Sequence, residues 1–215
     1  MPPLQAQRQF TNPTGNLQFG SGSYQYFDGG YLAITQDVFV VSINYRTNSI
    51  YFFHTGCPTD YLQVFGFSNS PEIPFGSQNS SILDQRFALQ WVQQNIAAFD
   101  GDHARITIFG ESAGGESVKQ LLANPPSPRL FSAAILQSQN TGLVGNGLIS
   151  YELTLANFNC TDIACLGDVD TMAVKSYTEK NSLILPPVNG DGTPIDDVKP
   201  SIVKKKWARV VTFFG

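Results

Sequence analysis

Unbroken apolar runs alternate along this chain with stretches of helical spacing. Val38-Phe39-Val40-Val41-Ser42-Ile43 is continuous and β-branched, the pattern of a strand covered on both faces. Residues 46–79 read as loop, with Pro, Ser, Asn and Gly throughout. A helix is expected from Ser80 or Ser81, with Ser81 and Asp84 spaced as a capping box. Leu83, Phe87, Trp91 and Ile96 follow at roughly helical spacing on one face, and the helix should fail near Asp100-Gly101-Asp102. Arg105-Ile106-Thr107-Ile108-Phe109 predicts a second strand, Gly110–Gly114 a sharp turn, and Glu116 to about Ala123 a helix stopped by Asn124-Pro125-Pro126. Ser132–Gln137 predicts a third strand. Short helices and loops follow, with a final strand over Val210–Phe214. By contrast, residues 1–30 are polar and rich in Gly, Gln and Asn, and no strand is expected there. The rhythm is that of an α/β fold with a parallel sheet.

Composition narrows this further. At 215 residues the chain is enough for one domain with a real core. Hydrophobic residues make up 42% and charged residues 14%, so the chain should fold rather than stay disordered. The formal net charge of −4 gives no electrostatic help in binding nucleic acid. Lys204-Lys205-Lys206, the one basic run, reads as a solvated helix end. No apolar stretch reaches membrane-spanning length, and Met1-Pro2-Pro3-Leu4-Gln5 does not open like a signal peptide. No metal and no cofactor is assigned. Of the three cysteines, Cys160 and Cys165 stand close enough to close a small loop and Cys57 stands alone.

The turn at Gly110-Glu111-Ser112-Ala113-Gly114 carries the candidate chemistry. Gly-x-Ser-x-Gly is a short motif, and its context decides its meaning. Here it follows an apolar strand and opens a helix, as a nucleophile elbow requires. Gly110 and Gly114 lack Cβ atoms, so strand and helix can approach closely. The turn should push the Ser112 hydroxyl out at the carboxyl edge of the sheet. The helix start offers free N–H groups to a developing oxyanion, with the Ala113 N–H as the first donor. The plain alternative is a strand–helix turn in which Ser112 serves as an N-cap.

Longer runs make the likeness specific. Leu83-Asp84-Gln85-Arg86-Phe87-Ala88-Leu89-Gln90-Trp91-Val92-Gln93-Gln94-Asn95-Ile96-Ala97 and Ile106-Thr107-Ile108-Phe109-Gly110-Glu111-Ser112-Ala113-Gly114-Gly115 resemble the type-B carboxylesterase/lipase family, which is cholinesterase-like and of α/β-hydrolase fold. Gly66–Pro71, Asn44-Tyr45-Arg46 and Ala133–Ser138 also fit, and the wording of residues 18–32 and 116–128 is similar to fungal secreted members. The resemblance implies a serine nucleophile at Ser112, an oxyanion donor at Ala113, an acidic gorge-floor neighbour at Glu111 and a supporting serine at Ser138. It implies a Cys160–Cys165 disulfide loop and hence an extracellular origin. The implied substrate is a small-molecule or lipid carboxylic ester.

The sequence also departs from that family. Its oxyanion loop is a Gly-Gly-Gly-like segment after an apolar strand. Here Thr14-Gly15-Asn16-Leu17-Gln18-Phe19-Gly20 stands in that place, keeping Gly15 as a candidate oxyanion donor, with the preceding strand expected to be missing. Ser49–Val64 has no counterpart and reads as a foreign or unspliced stretch, a genuine insertion being the alternative. The triad order in such folds is Ser, then Asp or Glu, then His. The family's acid follows a strand resembling Val210–Gly215, and its histidine comes later still, so the expectation is a partial α/β-hydrolase domain lacking N-terminal strands and the C-terminal part. The two histidines, His54 and His103, read as loop residues. Negligible esterase turnover is expected of the 215 residues. A non-catalytic binding module and a mispredicted or pseudogene fragment are the competing readings.

Overall fold

The computed structural model describes residues 4–11, 25, 28–46, 66–138, 147–181, 183, 185–188 and 211–214. Five strands form one parallel sheet: β1 (Leu4–Thr11), β2 (Val38–Ser42), β3 (Gly101–Glu111), β4 (Ala133–Gln137) and β5 (Val211–Phe214), in the order β2-β1-β3-β4-β5. The helices are α1 (Gly30–Gln36), α2 (Ser80–Asn95) continued by a tighter turn at Ile96–Phe99, α3 (Ala113–Ala123), α4 (Leu148–Asn157), α5 (Ile163–Asp168) and α6 (Thr171–Lys180). The parallel α/β rhythm read from the sequence is therefore observed.

One expectation is overturned at the centre of the sheet. The strand read as missing is β1, and it lies between β2 and β3, paired to both. Its sequence, LQAQRQFT, lacks the β-branched run of a buried parallel strand. Its place is fixed instead by two ladders of main-chain hydrogen bonds, which any side chains permit and which sheet context can impose over weak propensity. With β1 in place, β2 becomes the edge strand of the described sheet. Its residues are mostly half-buried, not covered on both faces as the apolar run suggested.

The main core lies on one face of this sheet. Leu89, Val92 and Ile96 from α2 and its extension pack with Ile106 and Ile108 of β3, Val118, Leu121 and Leu122 of α3, and Ala134 and Leu136 of β4. The buried stripe of α2 is thus Ile82, Gln85, Leu89, Val92, then Ile96, at steps of three and four residues. This corrects the expected face: Phe87 is 70% exposed and Trp91 48%. Both stripes are apolar enough to satisfy a helical period, and periodicity alone could not choose between them.

The expected capping box is absent. Asn79 precedes α2 without a side-chain cap, and Asp84 turns instead to Arg46. The Arg46 Nε and Nη2 donate to its two oxygens at 2.7 and 2.6 Å, and the Arg46 backbone N–H adds a third bond at 3.0 Å. This fork fixes the chain just after β2 to the first turns of α2. Ser49–Val64 lies outside the described residues, as do Gly15, His54 and Cys57.

Two outcomes test this packing. Leu89→Ala should cost about 2–5 kcal/mol in chemical denaturation, whereas Phe87→Ala should stay within about 0.5 kcal/mol. Tyr45 packs between the main core and a smaller cluster of Phe67, Ile82 and Ala113. Burial raises its phenol well above the ordinary value, and its hydroxyl has no hydrogen-bond partner among the described residues. A phenol held neutral in the fold contributes stability below the unfolded pKa of about 10, and that contribution is lost as pH rises. Tyr45→Phe should therefore leave neutral-pH stability unchanged or higher and move alkaline unfolding to higher pH, measured by thermal melts across pH 8 to 12.

Candidate active site

The elbow is built by the junction of β3 and α3. Gly110 is buried at the end of β3, opposite Phe10 of β1 and Leu136 of β4. A Cβ at Gly110 would stand 2.4 Å from the Gly114 carbonyl carbon and 2.5 Å from its oxygen. Only a glycine permits that approach, since the obstacle is backbone.

Ser112 sits at the apex with φ 53 and ψ −114. A serine in the left-handed half of backbone space stores about 1–3 kcal/mol of strain. Two main-chain bonds hold it there: its N–H donates to the Gln137 carbonyl at 2.8 Å, and its carbonyl accepts from the Glu116 N–H at 3.0 Å. Ser112 occupies the N-cap position of α3, yet its side chain makes no capping hydrogen bond. That removes the plain alternative: the serine is not there to cap the helix.

The neighbours divide into a buried and an exposed set. Ala113, Gly114, Gly115 and Glu116 are buried at the start of α3, while Ser112 is half-exposed and Glu111 exposed. Ser138 follows β4 directly, with φ 47, and is exposed beside the elbow's partner Gln137. Beneath the elbow, Gln85 of α2 donates to the Ser117 hydroxyl at 3.1 Å, and Glu116 pairs with Lys119 and accepts from Gln120 at 2.6 Å. The first contact ties α3 to α2 and the other two brace α3 along its own face, and nothing in the sequence pattern pointed to them. Missed as well was the Gln137 carbonyl, because a backbone acceptor leaves no trace in side-chain pattern.

The histidine positions are settled for one of the two. His103 is exposed near the start of β3, at the opposite end of the sheet from the elbow. Asp102 pairs with Gln5 and Glu111 with Thr11, so six residues of β1 span the interval. At about 3.3 Å per residue the separation from the elbow is about 20 Å. His103 cannot reach Ser112. Cys160 and Cys165 form the expected disulfide, with Cα atoms 5.5 Å apart. Among the described residues there is no metal-binding group of His, Cys, Asp and Glu, and no helix is long and apolar enough to cross a membrane.

A serine on a strained strand–helix turn, at the carboxyl end of a parallel sheet flanked by helices, has the geometry of an α/β-hydrolase elbow. The pattern of the carboxylesterase family matches residues 13–164, and the chain belongs to that family. Among curated relatives, acetylcholinesterase of Danio rerio is 44% identical over 124 residues, 58% of this chain and 17% of that protein. Cholinesterase of Mus musculus is also 44% identical over 124 residues, covering 18% of its length. Cholinesterase 2 of Branchiostoma lanceolatum is 39% identical over the same share of this chain and 32% of its own. A carboxylesterase of Geobacillus stearothermophilus superposes with TM-score 0.81 at 30% identity, over 99% of this chain and 43% of that one. The chain thus spans less than half the length of the relatives it matches.

The elbow geometry predicts opposite effects of two small substitutions. Gly110→Ala must push α3 away from β3 and should cost several kcal/mol, on the order of 3 or more. Ser112→Gly removes the strain and should raise stability by roughly 1 kcal/mol while removing the hydroxyl. Denaturant midpoints of the two variants check both signs.

Proposed function

We propose that this chain carries the nucleophile half of a carboxylic ester hydrolase working through an acyl-enzyme. The observation that carries this reading is Ser112: strained, half-exposed and unused as a helix cap. A fold that gains nothing structural from a residue in that conformation has a chemical use for it.

In the proposed reaction the Ser112 Oγ attacks the ester carbonyl. The carbonyl oxygen becomes an oxyanion held by the Ala113 N–H at the head of α3, where the helix dipole adds to the stabilisation. A second donor is proposed at Gly15. Support comes from β1: Thr11, the last residue of β1 and four before Gly15, is in register with Glu111. Collapse of the tetrahedral intermediate expels the alcohol and leaves the acyl group on Ser112, and water then releases the acid.

The proton of Ser112 needs a base, and we place that base and its carboxylate partner outside these 215 residues. A serine hydroxyl alone is a poor nucleophile at neutral pH. Loss of the base costs on the order of 10⁶ in kcat in a well-studied triad. Glu111 and Ser138 flank the site as supporting groups. An ester of a small molecule or lipid is the proposed substrate, and secretion is proposed from the cholinesterase-like relatives together with the disulfide. Ser49–Val64 is proposed as foreign to the family's domain.

Two preparations test this. The 215-residue chain alone should show negligible hydrolysis of p-nitrophenyl esters and negligible fluorophosphonate labelling. A longer product of the same reading frame, supplying an acid and a later histidine, should label at Ser112 by mass spectrometry, and Ser112→Ala should lower its kcat by about 10⁴ or more. An active Ser112→Ala variant would rule out the assignment of the nucleophile.

A further inference from the structure

A second concavity lies away from the elbow. It has a volume of about 270 Å³ and sits where the 66–80 loop, α4, α5, α6 and the 185–188 segment meet. No residue of Gly110–Gly114 lines it. Its walls are largely apolar: Ile73, Ile163, Leu166, Val174 and Leu185.

The walls are braced by polar bonds from behind. Asn69 donates to the Phe67 and Pro186 carbonyls at 3.0 Å each and accepts from the Gly147 N–H at 2.8 Å. Asn79 bonds both backbone groups of Val188, at 3.2 and 2.7 Å. Glu72 accepts from the Tyr151 hydroxyl at 2.9 Å and from the Ile163 N–H at 3.0 Å. The Cys160–Cys165 disulfide closes the loop that carries Ile163, and the Asp162 carboxylate caps α5 through the Cys165 N–H at 2.8 Å. A concavity held open by this many fixed bonds is preformed, which lowers the cost of binding.

The polar groups of the wall define what it would take. Tyr151 is committed to Glu72, and the Thr154 hydroxyl donates to the Ser150 carbonyl. Among the described residues Arg46 is the wall's one charged residue, and Asp84 already neutralises it. The Ser68 hydroxyl differs: it is buried and has no hydrogen-bond partner among the described residues. A buried hydroxyl without a partner costs about 1–3 kcal/mol, and a ligand that satisfies it recovers part of that.

We propose that this cavity is a binding site for a neutral, mostly apolar small molecule bearing one hydrogen-bonding group, received by Ser68. An apolar cavity of about 150 Å³ accepts benzene, so this one fits a molecule of roughly twice that size. A compact aryl or alkyl alcohol has the required chemistry. A carboxylate does not, because among the described residues the only cation on the wall is Arg46, already paired with Asp84. The proposal is independent of the ester-hydrolase reading, since none of the elbow residues takes part.

The test uses the full chain with naphthylmethanol, methylnaphthalene and naphthoate as probes, followed by titration of side-chain methyl NMR signals. Saturable binding of naphthylmethanol should perturb the methyls of Ile163, Leu166 and Val174. Val174→Phe should fill the space and weaken binding about tenfold or more. Ser68→Ala leaves the packing intact and should weaken naphthylmethanol about fivefold while leaving methylnaphthalene unchanged. Absence of saturable binding, perturbed methyls confined to other parts of the fold, or a Ser68→Ala variant that loses both neutral probes equally would overturn the proposal. So would tighter binding of naphthoate than of the alcohol.

Discussion

The contact between Gly110 and Gly114 is the constraint on which the site depends. It brings the end of β3 within backbone contact of the first turn of α3, at a distance no side chain could share. The chain must then reverse within the intervening residues, and the reversal forces Ser112 to a positive φ. The strain is held by bonds the fold makes anyway, from the Ser112 N–H to Gln137 and from the Glu116 N–H back to Ser112. It is also opposed by the burial of α3, whose residues from Ala113 to Val118 are all inaccessible. The position of Ser112 is thus held by core packing, and a core that loosened would release the elbow first.

The strand order places this constraint where a ligand can reach it. The chain runs from β1 to β2 on one side, crosses back through α2, and continues from β3 to β4 and β5 on the other. The direction of winding reverses between β1 and β3, and a crevice opens outside the carboxyl ends of strands at such a point. Glu111 ends β3 and Thr11 ends β1, directly opposite one another. The carboxyl ends of β1 and β3 therefore open on a common space. Without β1 the sheet would have no such point, and Ser112 would stand at an ordinary strand end.

How much of this could be read from the sequence follows from what side chains report. Strands β2, β3 and β4 were legible because their apolar residues fill the core. The elbow was legible because two glycines and a serine have a steric reason for their spacing. Strand β1 was not, since its polar text is overruled by backbone pairing on both sides. The buried face of α2 was misread because Phe87 and Trp91 satisfy a helical period as well as Leu89 and Val92 do. Ser81 and Asp84 have capping-box spacing, but Arg46, distant in sequence, offers Asp84 a bidentate partner that a backbone N–H cannot match. In each case a long-range partner outweighed a local preference. The Cys160–Cys165 pair was the reverse case, a short loop whose partner is nearly adjacent.

The elbow also separates what this fold supplies from what it needs. The position of Ser112 comes from β3 and α3 and is set within the described residues. Proton transfer does not come from them, because a base must lie within hydrogen-bond reach and His103 is about 20 Å along the sheet. The two requirements have different structural origins. A strained turn is a local device fixed by a few residues and one neighbouring strand. A base for the proposed reaction would have to be delivered from another part of the chain across the crevice. Ancestry in the carboxylesterase family is therefore written in the local device, and in the proposed reaction catalytic power rests on the element brought to face it.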